Sequence, residues 1–173
     1  LWCTWPEGAV EPEGPQLPCS RTRLNEIALA GEDGERWVEL HMPAGGLLEG
    51  LTLEVLDADG AELAQVGPLS GRTPMSNLVL LRDGVDGVAL PPVTDGAVQL
   101  IRLGQTQDVY GFGALTTTLG GSLDLPMTEG TAGPAQVAGE AAVRVVDGVD
   151  TDDNAADWTT SSGGSPGASN ASP

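Results

Sequence analysis

The sequence predicts an all-β fold, a β-sandwich or barrel, on three observations. From residue 21 onward, short apolar runs recur every 8 to 15 residues and are separated by turn signals. The 25 Gly and 13 Pro among 173 residues favour turns and disfavour long helices. Within the runs, apolar and polar residues alternate: Leu51, Leu53 and Val55 share one face, with Thr52 and Glu54 opposite. Such a period of two is typical of a strand with one buried face.

The apolar runs predict eight strands. They are Leu24–Leu29, Trp37–Met42, Leu51–Leu56, Glu62–Val66, Asn77–Leu81, Ala97–Leu103, Asp108–Phe112 and Ala142–Val146. The clearest turn is the segment Asp57–Gly60 between the third and fourth runs. An Asp side chain accepts backbone N–H groups and Gly adopts positive φ without steric cost, so we expect a tight hairpin there.

The pattern divides the chain into three parts. Residues 1–20 have little periodicity and form an irregular N-terminal arm, and residues 21–160 form the sandwich. Within the sandwich, the Gly- and Pro-rich range 113–141 is predicted to be a long loop or an insertion. Residues 161–173 are rich in Ser, Gly and Pro and are predicted to be a tail.

The two cysteines, Cys3 and Cys19, both lie in the arm. A disulfide between them would close a short loop and contribute roughly 3 kcal/mol by restricting the unfolded chain. We therefore expect a Cys3–Cys19 disulfide and an oxidising compartment, with two free thiols as the alternative. The chain shows no signal-peptide pattern, so in a secreted protein Leu1 should follow a processing site.

The net charge is −18, from 7 basic and 25 acidic residues. A surface of this charge repels phosphate backbones and anionic lipid, which argues against nucleic-acid binding and membrane-surface binding. No apolar stretch approaches the roughly 18 residues that are needed to span a bilayer, so membrane insertion is not expected.

Five blocks in the chain, taken in order, resemble the lamin-tail domain in the form found in secreted bacterial proteins. The resemblance implies an immunoglobulin-like β-sandwich that serves as an accessory or interaction module, with no catalytic residues to carry over. It covers residues 21–170. The blocks are Arg23–Ile27, Glu35–Leu40, Leu51–Gly60, Asn77–Asp83 with Asp95–Leu100, and Asp147–Trp158 with Ser165–Asn170.

Four tryptophans account for most of the six aromatic residues. Trp37 begins a predicted strand and Trp158 lies near the C-terminal end, so we expect both to anchor the core, with a ligand platform as the alternative. Trp2 and Trp5 lie in the arm, where they either pack back on the sandwich or contact a partner.

An acidic segment near the C-terminus is the one candidate metal site. Asp150, Asp152 and Asn154 have the alternating oxygen spacing that opens a calcium loop, and Asp157 follows them. Ala155 and Ser161 stand where an EF-hand has Gly and Glu, so an EF-hand is not supported. The alternative is that these side chains cap backbone groups in turns.

The residues contain no recognisable catalytic constellation. His41 has no Ser or Cys partner in a recognisable motif, and the pattern GxSxG is absent. The sequence therefore predicts a non-enzymatic, secreted structural or interaction module without a cofactor, which binds protein or glycan partners at the bacterial cell surface. The alternative is a calcium-binding module that uses the acidic loop 147–157.

Overall fold

The computed structural model describes residues 22–32, 34–43, 48–70, 72 and 77–170. The predicted arm, with the Cys3–Cys19 disulfide and with Trp2 and Trp5, lies outside the described residues. The described residues form eleven strands and one short helix, which are numbered in chain order. They are β1 (Arg23–Ala28), β2 (Trp37–His41), β3 (Leu51–Asp57), β4 (Glu62–Val66), β5 (Leu78–Arg82), β6 (Gly96–Arg102), β7 (Gln105–Phe112), β8 (Leu119–Gly120), β9 (Leu125–Pro126), β10 (Glu140–Arg144), α1 (Asn154–Asp157) and β11 (Trp158–Ser162).

Two antiparallel sheets enclose a common apolar core, in the manner of a β-sandwich. Sheet A has the order β11-β10-β1-β2-β5, and sheet B has the order β4-β3-β6-β7. The predicted alternation of β3 is confirmed, because Leu51, Leu53 and Val55 are all at most 1% exposed and lie in this core. All eight predicted runs correspond to strands, with ends that differ by at most three residues, and the run Glu62–Val66 has the same bounds as β4. The prediction of an all-β fold is confirmed.

A stack of three aromatic rings lies in the core. The ring centroids of Tyr110 and Trp158 are 4.2 Å apart, and those of Tyr110 and Phe112 are 5.2 Å apart. The Tyr110 hydroxyl donates to the Pro134 carbonyl at 2.9 Å, so its polar atom is paired inside the protein. The stack joins β7 of sheet B to β11 of sheet A.

The predicted hairpin at Asp57–Gly60 is present between β3 and β4. One Asp57 carboxylate oxygen accepts from the backbone N–H groups of Asp59 at 3.0 Å and Ala61 at 2.9 Å. Gly60 has a φ of +80°, which glycine adopts without strain. The turn therefore forms through the Asp and Gly chemistry that the sequence indicates.

The range 113–141 contains structure beyond the predicted loop. Strands β8 and β9 form a small hairpin, and Met127, which follows it, is fully buried against Leu56, Ala97 and Val109 of sheet B. The hairpin lies over the outer face of that sheet. Gln99 of β6 donates to two hairpin carbonyls, Leu125 at 3.1 Å and Pro126 at 2.8 Å.

The predicted tail also differs from the structure. β11 continues to Ser162, and residues 163–170 then cross the outer face of sheet A. Their backbone bonds to buried glutamates of that sheet, which an unattached tail would not do. The composition of this segment suggests a linker because it contains no apolar alternation, and its attachment depends on polar contacts instead.

The one helix of the described residues, α1, is not long and apolar enough to cross a membrane.

Candidate functional site

Arg144, at the end of β10, is the largest fully buried side chain in the part of the chain that the structure describes. Its Nε donates to the Leu24 carbonyl at 2.7 Å, and its Nη1 donates to the Val149 carbonyl at 2.8 Å. Its Nη2 lies 2.9 Å from both carboxylate oxygens of Asp108. The guanidinium carbon lies 4.9 Å from the centre of the Trp158 ring, within the range of a cation–π contact. The buried charge is therefore paired and hydrogen-bonded, as burial of a charge requires.

Asp108, on β7, is the counter-charge of Arg144 and is also fully buried. Its Oδ2 accepts the backbone N–H of Leu24 on β1 at 2.7 Å. Burial raises the pKa of the Asp108 carboxyl, and the positive charge of Arg144 opposes that rise. Because the carboxyl contacts both the guanidinium and a backbone N–H, it links sheet B to two strands of sheet A.

Two acids of the predicted calcium loop also face arginines. Asp150 Oδ2 lies 3.0 Å from Arg23 Nε, and its other oxygen lies 3.7 Å from Arg144 Nη1. Asp157 Oδ2 lies 3.3 Å from Arg144 Nη1 and accepts the Thr151 N–H at 2.7 Å. Glu129 lies beside them, with a carboxylate oxygen within 4.8 Å of those of Asp108 and Asp150. We call these residues the arginine cluster: Arg23, Asp108, Glu129, Arg144, Asp150 and Asp157.

The remaining two predicted ligands point elsewhere. Asn154 is fully buried, and its Oδ1 accepts from the N–H of Gly111 at 2.8 Å and from the Thr128 hydroxyl at 2.9 Å. Its Nδ2 donates to the Val109 carbonyl at 2.9 Å. Asp152 is exposed, and its backbone N–H donates to Asp150. The structure thus places Asp150 and Asp157 beside Arg144, and it places Asn154 against β7 and the residues that follow β9.

A different trio of acids converges in the arginine cluster. Carboxylate oxygens of Asp108, Glu129 and Asp150 all lie within 4.8 Å of one another. Glu129 Oε2 is buried and has no hydrogen-bond partner. Burial raises the pKa of Glu129 to about 8, and the negative charges of Asp108 and Asp150 add to the rise. Sequence reasoning missed this trio, because its members are separated along the chain and Asp108 lies within an ordinary strand.

A second group of buried acids lies on the outer face of sheet A. Glu26 of β1 and Glu39 of β2 are cross-strand partners, and both are fully buried. Asn25 Nδ2 donates to Glu39 Oε1 and to Asp147 Oδ1, at 3.1 Å in each case. We call Asn25, Glu26, Glu39 and Asp147 the glutamate cluster.

Residues 163–170, which we call the strap, supply further donors to this cluster. Glu26 Oε1 accepts the Ser165 N–H at 2.6 Å, and Glu39 Oε2 accepts the Gly167 N–H at 2.6 Å. The Asn170 N–H donates to Asp147 Oδ1 at 3.1 Å. The glutamate cluster therefore joins β1, β2, the loop after β10 and the strap.

Burial also determines the ionisation of the two glutamates. Desolvation raises the pKa of Glu26 to about 7, and it raises the pKa of Glu39 as well. The hydrogen bonds from the strap favour the charged form and oppose these rises. The charge of Glu39 raises the pKa of Glu26 further, so the pair shares one region of negative potential.

The predicted anchors occupy two different layers. Trp158 is 3% exposed and lies in the main core between the sheets. Trp37 is 6% exposed and lies on the outer face of sheet A, in a smaller apolar layer with Ala141 and Val143.

His41, at the end of β2, has its Nε2 2.8 Å from Asn77 Nδ2.

No family model matches the chain, and no curated protein or solved structure matches it significantly.

The free energy of unfolding should depend on pH because Glu129 binds a proton in the folded protein. The pKa of Glu129 is about 8 in the folded protein and near the ordinary value of 4.5 in the unfolded chain. Between these two pH values, the folded state therefore binds more protons than the unfolded state. The free energy of unfolding should therefore fall as the pH rises from about 5 through 8, and Glu129→Gln should make that fall shallower. Denaturant titrations across this pH range measure the slope.

Glu35→Gln, at an exposed acid, is the matched control and should leave the slope unchanged. A Glu129→Gln protein with the slope of the unsubstituted protein would contradict the assignment.

Proposed function

We propose that the chain is a non-enzymatic, secreted module of the lamin-tail type, an immunoglobulin-like sandwich that binds protein or glycan partners at the bacterial cell surface. Its loops and sheet edges would make the contacts. The all-β architecture with two antiparallel sheets is compatible with such a module.

The single observation that carries the proposal is the bonding between the blocks of the resemblance. Asn25 and Glu26 belong to its first block, and Glu39 belongs to the second. Asp147 and residues 165–170 of the strap belong to the last. These residues bond to one another in the glutamate cluster. Residues far apart in sequence that hold one another in place are expected where a signature reflects the requirements of a fold. This bonding supports the proposal that the chain has the lamin-tail type of structure.

The contacts of four buried acids support a structural role for these four side chains. Asp108 and Asp157 contact Arg144, and Glu26 and Glu39 accept backbone N–H groups of the strap. These contacts link strands and loops. A catalytic acid, in contrast, must reach a substrate with a free oxygen.

Capture of partners tests this function. The tagged chain, immobilised and incubated with a bacterial envelope extract and with a glycan array, should retain specific components at about 0.3 M salt. Charge alone accounts for little binding at that ionic strength, because the Debye length is then below about 8 Å.

Gly96→Val is the matched control because it keeps the net charge and disturbs the fold. A Cβ at residue 96 would collide with the Leu56 carbonyl of the neighbouring strand. Components retained by the original chain and lost with this variant support a binding surface that requires the fold. Equal retention by both proteins, or retention of nothing, would contradict the proposal.

A second candidate function is calcium binding, which one observation favours. The carboxylates of Asp108, Glu129 and Asp150 converge, and Glu129 Oε2 has no partner. Calcium prefers several carboxylate oxygens, and Asp150 belongs to the predicted loop. Arg23 and Arg144 already offset part of this negative charge, so we expect weak binding in the millimolar range.

Thermal unfolding with about 5 mM calcium, compared with a chelator, tests this candidate. A ligand that binds only the folded state raises the unfolding temperature, and Glu129→Gln should abolish the increase. Asp152→Asn is the control for the exposed part of the loop and should keep it. An unchanged unfolding temperature in calcium would exclude the candidate.

A further inference from the structure

The strap lies on the outer face of sheet A and consists of small, uncharged residues from Gly163 to Asn170. Gly164 packs so closely that an added Cβ would collide with Glu26 Oε1 and would lie 2.9 Å from both Ala141 Cβ and Trp37 Cζ2. Its φ of +61° also favours glycine. The strap therefore covers Glu26 and the edge of the Trp37 indole at one point.

The attachment of the strap is polar. Glu26 accepts the N–H of Ser165 at 2.6 Å and its hydroxyl at 3.2 Å, and Glu39 accepts the N–H of Gly167 at 2.6 Å. These bonds end on two fully buried carboxyls that are cross-strand partners. The strap thus closes over two acids whose charge has lost its contact with water.

Among the described residues, no positive charge compensates the two acids. The groups that face Glu26 are Glu39 from β2, Asp147 from the loop after β10, Val143 from β10 and the uncharged strap. Within the described ranges, no arginine forms an ion pair with Glu26 or Glu39. Arg144, the nearest candidate along β10, directs its guanidinium to Asp108.

We propose that the strap is a pH-sensitive cover that closes over Glu26 and Glu39 while the pair holds a proton and is released when both carboxyls ionise. Two charges in one desolvated space repel each other, and opening returns both to water. In the closed form, desolvation of the two carboxyls outweighs the hydrogen bonds from the strap, which favour the charged form, so the closed form binds more protons than the open form. Raising the pH therefore shifts the equilibrium toward the open form. Release uncovers the apolar layer of Trp37, Ala141 and Val143.

Hydrogen exchange of the strap amides tests the proposal directly. Protection factors, which are corrected for the intrinsic pH dependence of exchange, are measured for Ser165 and Gly167 between about pH 5 and 8. Linkage with the raised pKa of Glu26 predicts a fall in protection on the order of 10- to 100-fold over this range. The amides of β3 should stay protected, which separates strap release from global unfolding.

The double variant Glu26→Gln with Glu39→Gln should keep the strap protected at every pH, because neither side chain can ionise. Each single variant should reduce the fall, so a folded single variant serves if the double variant does not fold. Glu54→Gln is the matched control: Glu54 is a buried acid of sheet B that accepts the N–H of Ser122 in the hairpin at 3.1 Å. It should show the fall of the original protein.

Gly164→Ala provides the open reference, because its methyl group collides with Glu26 and with the Trp37 layer. Its strap amides should exchange rapidly at all pH values. Protection in the original chain that does not change with pH would overturn the proposal. A fall of the original size in the Glu26→Gln or Glu39→Gln variants would also overturn it.

Discussion

The buried pair of Arg144 and Asp108 is the interaction on which the rest of the structure depends. The guanidinium binds carbonyls of β1 and of the loop after β10, and Asp108 brings β7 of the opposite sheet to the same point. The Arg144 carbonyl accepts Asn170 Nδ2 at 2.9 Å, so one residue also connects the core to the strap. Burial of an arginine charge without such partners would destabilise the folded protein. The strands that supply the partners must therefore keep their register.

Each sheet has polar side chains on its outer face, and another segment of the chain covers them. On sheet A, Glu26 and Glu39 are held by the strap. On sheet B, Glu54 and Gln99 are cross-strand partners, and the hairpin of β8 and β9 supplies their hydrogen bonds. In each case a short Gly-containing segment covers polar side chains on the middle of a sheet. The difference is in the charge, since two acids face each other on sheet A and an acid faces an amide on sheet B.

Much of the fold could be predicted because the apolar residues of a strand that face the core recur with a period of two, as Leu51, Leu53 and Val55 do in β3. β11 could not, because Trp158–Ser162 has one apolar residue followed by Thr and Ser, and it pairs through its backbone. The candidate site was even harder to predict from the sequence. Asp108 and Arg144 are 36 residues apart, and no local pattern indicates that they meet. The acidic loop predicted oxygen ligands, and the structure directs Asn154 to backbone groups and Asp157 to Arg144 and Thr151.

The free energy of unfolding of Asp108→Asn tests this account most directly. The amide has the size of the carboxyl but removes the fully buried counter-charge at Arg144 Nη2, while Asp157 and Asp150 remain beside Nη1. Loss of one partner of a buried pair costs about 3–5 kcal/mol. Asp152→Asn, at an exposed acid, should change stability by less than about 0.5 kcal/mol. A loss below about 1 kcal/mol for Asp108→Asn in denaturant titrations would contradict the central role of the pair.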